Sequence, residues 1–167
     1  MRSKVLSVFA AVLLLAACET ASDQSAGTAG TGGATGAGAA ATAARPGPRP
    51  GSQEDLVANV GDRVFYDFDK SDLKPEARRT VERWAAWLRQ YPNVNVTIEG
   101  HCDERGTREY NIGLGERRAA AAKNFLVSLG IDARRVATIS YGKERPAVIG
   151  SNEAAWSQNR RGVMVVN

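Results

Sequence analysis

Between Gly100 and Ala119 the chain reads Gly-His-Cys-Asp-Glu-Arg-Gly-Thr-Arg-Glu-Tyr-Asn-Ile-Gly-Leu-Gly-Glu-Arg-Arg-Ala, its densest run of ionisable side chains. Two of them could hold a small ligand. Asp103 follows directly on a strand pattern, and Arg118 falls on the inward face of the helix pattern that comes next. A carboxylate at a strand end lies where ligands of α/β sheets bind. A guanidinium facing it could take the carboxylate of a ligand whose amine goes to the aspartate. The competing reading is structural: Asp103 and Arg118 pair with each other, or with other charges of this loop, because ion pairs outnumber ligand sites. A catalytic reading would make Cys102 a nucleophile and His101 its base, as in a hydrolase. Neighbouring residues at a strand end point to opposite sides and meet poorly. His101 is also the only histidine, so no ordinary zinc cluster can be assembled. The reading is therefore of a binding site, not an enzyme, with no cofactor and no metal.

The flanking patterns supply the elements that must position these groups. Val64 to Phe68 reads as a first strand. Pro75 suits a first helical turn, and that helix runs to about Tyr91, before Pro92. Its buried stripe is Ala77, Val81, Trp84, Ala85 and Leu88. Val94 to Glu99 alternates strictly, with Val94, Val96 and Ile98 on one face, and Gly100 ends it. A second long helix begins near Ile112 or Leu114 and ends at Leu129-Gly130, with Leu114, Ala121, Ala122, Phe125 and Leu129 as its stripe. Arg118 lies four residues beyond Leu114, only about 40° around the axis. Val136 to Tyr141 is a third strand. Lys143 to Ala155 is loop with a helical turn near Glu153 to Trp156, and Gly162 to Val166 is a last strand, antiparallel to its neighbour. The fold class is α/β (α+β): one mixed sheet of about four strands packed on two long helices.

The chain's start has a different composition. Arg2 and Lys4 precede an apolar run from Val5 to Ala17, a signal peptide over residues 1–17 that is too short to span a bilayer comfortably. A retained membrane anchor is the alternative. Leu15-Ala-Ala-Cys18 resembles the lipobox of bacterial lipoproteins, which implies cleavage before Cys18 and acyl chains on it; several chains give stable anchoring. Glu19 is compatible with outer-membrane sorting. Residues 18–55 form a lipidated N-terminus and a flexible Ala/Gly/Pro-rich tether, without periodicity that could pack. Its end, Arg45-Pro-Gly-Pro-Arg-Pro-Gly51, reads as a stiffer spacer or a Pro-rich recognition motif. Residues 56–167 suffice for one core. Removing Arg2 and Lys4 lowers the net charge from +4 to about +2, with both signs mixed, so nucleic-acid binding is unsupported. With Cys18 acylated, Cys102 has no partner for an intramolecular disulfide and reads as structural.

Five blocks now point to a family. Phe65-Tyr-Asp-Phe-Asp69, Glu99-Gly-His-Cys-Asp-Glu-Arg-Gly-Thr107, Glu109-Tyr-Asn-Ile-Gly-Leu-Gly-Glu-Arg-Arg-Ala119, Ser140-Tyr-Gly-Lys-Glu-Arg-Pro146 and Asn159-Arg-Arg161 resemble the OmpA-like peptidoglycan-binding domains, and the lipobox and tether fit the lipoproteins among them. The resemblance covers about Val64 to Val166. It implies non-covalent binding of the peptide stem of the cell wall at meso-diaminopimelate, a zwitterion with an amine and carboxylates at fixed separation. Arg118 then pairs with a diaminopimelate carboxylate and Asp103 with its ammonium. Phe68 and Asp69 line the same pocket, Leu114 is its apolar wall, and Asn111 anchors the loop or helix start. Partners implied are the peptidoglycan stem peptide, the outer membrane through lipid on Cys18, and TolB, a periplasmic protein binding in exclusion of peptidoglycan. Another OmpA-like anchor, such as a stator or secretion-system lipoprotein, is the alternative. Many relatives have Ala or Thr where Cys102 stands, so the family's site needs no thiol.

Overall fold

The computed structural model describes residues 47–167; the leader, Cys18 and the tether up to residue 46 lie outside the described residues. The elements run α1 (Gln53–Asn59), β1 (Arg63–Phe65), α2 (Pro75–Gln90), β2 (Val96–His101), α3 (Arg108–Ser128), a short 3-10 helix (Ala133–Arg135), β3 (Val136–Gly142), α4 (Glu153–Asn159) and β4 (Arg161–Val166). The four strands form one sheet in the order β1-β4-β2-β3. Strands β2 and β3 are parallel and joined by α3, whereas β4 runs antiparallel to both β1 and β2. The last strand thus lies inside the sheet rather than at an edge. No helix among the described residues is long and apolar enough to cross a membrane.

Strand alternation puts Val64, Val96, Ile98, Val136 and Met164 on the face that meets α2 and α3, and all are buried. The whole predicted stripe of α2 is buried, together with Trp87. Trp84 is fully enclosed, and its Nε1 donates to the Gly61 carbonyl at 2.6 Å. Burying a large apolar side chain contributes roughly 1.5–3 kcal/mol, so this layer carries most of the fold's stability. Arg135 secures the end of α2 by donating to the Leu88, Tyr91 and Val94 carbonyls.

Several boundaries differ from expectation, each for a local reason. Helix α1 has no counterpart in the sequence reading and takes up residues 53–55, the last three of the expected tether. Ser52 caps it, accepting from the Asp55 N–H, and Gln53 bridges the Met164 carbonyl and the Val166 N–H of β4. Strand β1 stops at Phe65 because the chain turns at Asp67 to Lys70, although the Tyr66 N–H still reaches the Arg160 carbonyl at 2.9 Å. Strand β2 is displaced to Val96–His101, leaving Val94 half-buried at the sheet's border. Helix α3 starts at Arg108, a turn earlier than the apolar pattern, since Thr107 caps it by accepting from the Tyr110 N–H. Its buried stripe is Asn111, Leu114, Gly115, Arg118, Ala119, Ala122 and Leu126; Ala121, Phe125 and Leu129 are only half-buried. The helical turn expected near Glu153 is a full helix to Asn159, capped by Asn152.

One contact sets where α3 crosses the sheet. A Cβ on Gly100 would stand 1.8 Å from the Gly115 carbonyl oxygen, and one on Gly115 would meet Ser140 Oγ at 2.3 Å. Backbone therefore packs directly on backbone at the end of β2, one helical turn before Arg118.

Candidate functional site

The end of β2, the β1–α2 turn and the first turns of α3 enclose a cavity of about 160 Å³. Phe68, Asp69, Asp103, Leu114 and Arg118, the five residues named from the sequence, all line it, as do Cys102, Arg105, Tyr110 and Asn111. The turn reaches the cavity because Asp69 adopts φ 56°, the only positive φ of a non-glycine among the described residues. Asp tolerates that left-handed geometry better than most side chains.

Arg118 is fully buried. Its Nε donates to the Lys70 carbonyl (2.8 Å), Nη1 to the His101 carbonyl (2.8 Å) and Nη2 to the Asp67 carbonyl (3.1 Å). The Tyr66 hydroxyl in turn donates to the Arg118 carbonyl at 2.8 Å. Three backbone acceptors thus orient the guanidinium, but among the described residues no carboxylate pairs with it. A guanidinium has five N–H groups, so one on each Nη stays uncommitted, which is the number that a carboxylate accepts in a bidentate pair. Burial holds the Arg118 pKa below its ordinary value, the sign of a cation short of compensating anions.

Asp103 is 4% exposed and does not pair with Arg118. Its Oδ1 accepts the Arg105 backbone N–H at 3.2 Å, closing a tight turn. Oδ2 accepts Arg105 Nη2 at 2.6 Å and Arg160 Nη1 at 3.4 Å. The structural reading is thus realised for Asp103, with partners Arg105 and Arg160, while Arg118 remains without an anion. Burial pushes the Asp103 carboxyl upward in pKa, but the hydrogen bonds from Arg105 and Arg160 outweigh it and hold the group below its usual value.

Around this pair the loop is built from partners that composition did not single out. Asn111 Nδ2 donates to the Arg105 and Thr107 carbonyls, so it anchors the loop on α3 as expected, from inside the helix rather than before it. The Tyr110 hydroxyl donates a hydrogen bond to Asp69, and both residues line the cavity. The Arg105 guanidinium carbon lies 4.0 Å from the centroid of the Phe68 ring and 4.1 Å from that of Trp156. Phe68 itself is more than half exposed. The Asp-x-Arg spacing of Asp103 and Arg105 is a legible signal for the turn; Arg160 lies in the Asn159-Arg-Arg161 block that resembles the family, but nothing in the sequence assigns it or Trp156 to this site.

Cys102 Sγ donates to the Asn111 carbonyl at 3.3 Å, and burial raises its thiol pKa. His101 Nε2 instead faces Glu99 at 3.3 Å on the other side of the sheet. The two therefore form no nucleophile–base pair, and the thiol is held in its unreactive form.

Residues 65–160 match the OmpA family. The chain is 55% identical over 117 residues to the peptidoglycan-associated lipoprotein of Agrobacterium fabrum, covering 70% of this chain and 66% of that one, just under two thirds of its length. It is 40% identical to that of Pasteurella multocida over 97% of this chain and 96% of the other. The crystal structure of the peptidoglycan-associated lipoprotein from Burkholderia pseudomallei superimposes with TM-score 0.62 at 37% identity, over 64% of this chain and 90% of that one. Fold, motif order and sequence thus agree, and the chain belongs to the OmpA family.

Proposed function

We propose that the chain is a lipid-anchored protein that grips peptidoglycan without covalent chemistry, at the diaminopimelate residue of the stem peptide. The observation that carries this reading is Arg118: a fully buried guanidinium that lines the cavity, is oriented by three carbonyls, and has no ion pair with a carboxylate among the described residues. A buried charge without its counter-ion is costly, and a ligand carboxylate offsets that cost on binding. The ligand's ammonium goes to the acidic side of the cavity, to Asp103 Oδ1, which accepts only one N–H, and to Asp69. Names and sequences of the relatives support the same reading.

On this reading Cys18 carries acyl chains in the outer membrane, and the residues between Cys18 and helix α1 span the gap to the domain. Two attachments make each rebinding event local, so a modest intrinsic affinity holds the layers together. The chain acts in the Tol–Pal system, in envelope integrity and cell division, and TolB competes with peptidoglycan for the rim around Phe68. It has no catalytic step. In a pull-down on isolated sacculi, the wild-type chain should be retained, and Arg118→Lys and Asp103→Ala variants that still melt cooperatively should be released. Equal retention of all three would refute the assignment.

A further inference from the structure

The pocket holds a second guanidinium that the zwitterion leaves unused. Arg105 lines the cavity and makes one side-chain hydrogen bond, from Nη2 to Asp103. Its Nε is buried without a partner among the described residues, and among them its Nη1 makes no hydrogen bond. The group is fixed in place by the rings of Phe68 and Trp156 and by Asp103. Asp103 does not neutralise it fully, because the same Oδ2 also serves Arg160. Arg160 makes a second ion pair, with Glu153 at 2.5 Å, whereas Arg105 makes its one ion pair with the shared Asp103 and feels Glu153 and Glu104 only from farther off.

We propose that Arg105 is a specificity residue of this site, taking a second carboxylate of the ligand beyond the one gripped by Arg118. The inference rests on the function proposed above and narrows its ligand to a dicarboxylate amino acid carrying an amine: the diaminopimelate residue with both carboxylates free. A guanidinium already immobilised against two rings loses little further freedom on binding, so the contact converts into affinity efficiently. The uncommitted donors are those that a carboxylate oxygen would satisfy. Lysine could keep the charge at this position but not the paired donors or the flat contact with the rings.

The test is calorimetric titration of the full chain with two synthetic stem tripeptides ending in diaminopimelate. Both keep the zwitterionic end; the other carboxylate is free in one and amidated in the second. The wild type is expected to prefer the free acid by about tenfold, the scale of one charge-assisted contact. Arg105→Lys should bind both peptides, each more weakly than the wild type and with a ratio near one, and Arg105→Gln should behave likewise; both variants should still melt cooperatively, at a somewhat lower temperature because the contact with Asp103 is weakened. Equal affinity of the wild type for the two peptides overturns the inference while leaving the zwitterion reading intact. So does a tenfold preference that survives in both variants. If the wild type binds neither peptide, the underlying function fails and the inference falls with it.

Discussion

Asp103 and Arg118 line one cavity without touching each other: Asp103 is held by Arg105 and Arg160, and Arg118 by the carbonyls of Asp67, Lys70 and His101. Were they paired, each would neutralise the other and the cavity would be inert. Separate supports keep a negative and a positive group poised on one small volume. Binding energy is then spent on the ligand rather than on breaking an internal ion pair.

The first expectation concerns Arg118. Its guanidinium stitches the β1–α2 turn to the end of β2, so Arg118→Ala removes one buried and two partly buried hydrogen bonds and leaves their acceptors without that donor. The loss should be on the order of 2–4 kcal/mol in urea unfolding. Arg118→Lys should recover part of that stability, yet bind the diaminopimelate tripeptide at least tenfold more weakly, because an ammonium cannot match a carboxylate bidentately. A lysine variant with wild-type affinity would contradict this role.

Gly100→Ala tests the crossing point. The added Cβ meets backbone rather than a flexible side-chain end, so the helix must move. Overpacking of this kind costs about 1–3 kcal/mol or more. In a domain of this size that lowers Tm by roughly 4–8 °C per kcal/mol. Weaker peptide binding should accompany it, since Arg118 rides on the displaced helix. An unaltered melting curve would show that the contact yields freely.

Acid stability should depend on His101. Burial, with Arg161 and Arg145 nearby, lowers its pKa from 6.5 to about 4. It faces Glu99 on its own strand, Tyr141 on β3, Arg161 on β4 and Arg145 in the β3–α4 loop. The unfolded chain therefore takes up a proton first. Stability is full above pH 6.5, falls as pH drops toward 4, and stops falling on this account below that. The span corresponds to a loss on the order of 3 kcal/mol. His101→Gln should flatten the profile between pH 6.5 and 4; a slope unchanged in the variant would assign it to other groups. Asp103 adds a separate loss at lower pH, as its depressed pKa is crossed from above.

Helix α1 should behave as part of the folded unit. Gln53→Ala deletes its hydrogen bonds to the Met164 carbonyl and the Val166 N–H. A loss of about 1 kcal/mol per bond is expected in chemical denaturation, with faster amide exchange at Val166. Unchanged exchange there would mean that the helix only leans on β4.

The two layers were legible because periodicity reports burial directly. Every residue of the α2 stripe is buried, and Val96 and Ile98 face the core as their alternation requires. The α3 stripe was read less well, since four consecutive alanines and a buried arginine blur the apolar pattern. Helix α1 was missed because its short stripe follows directly on tether-like composition, and its stability comes from β4, more than a hundred residues away.

The sequence alone supplied an aspartate after a strand and an arginine on the inward face of the following helix, and the resemblance of its motifs to the OmpA-like domains added Phe68, Asp69 and Leu114. Only the tertiary structure decided the partners. Placing β4 between β1 and β2 brings Arg160 to Asp103, and α4 brings Trp156 to Arg105, across 57 residues for the first pair. Periodicity encodes which side of an element is buried; it does not encode which distant charge will arrive there. That is why Asp103 and Arg118 could be named in advance, and why their remaining apart could not.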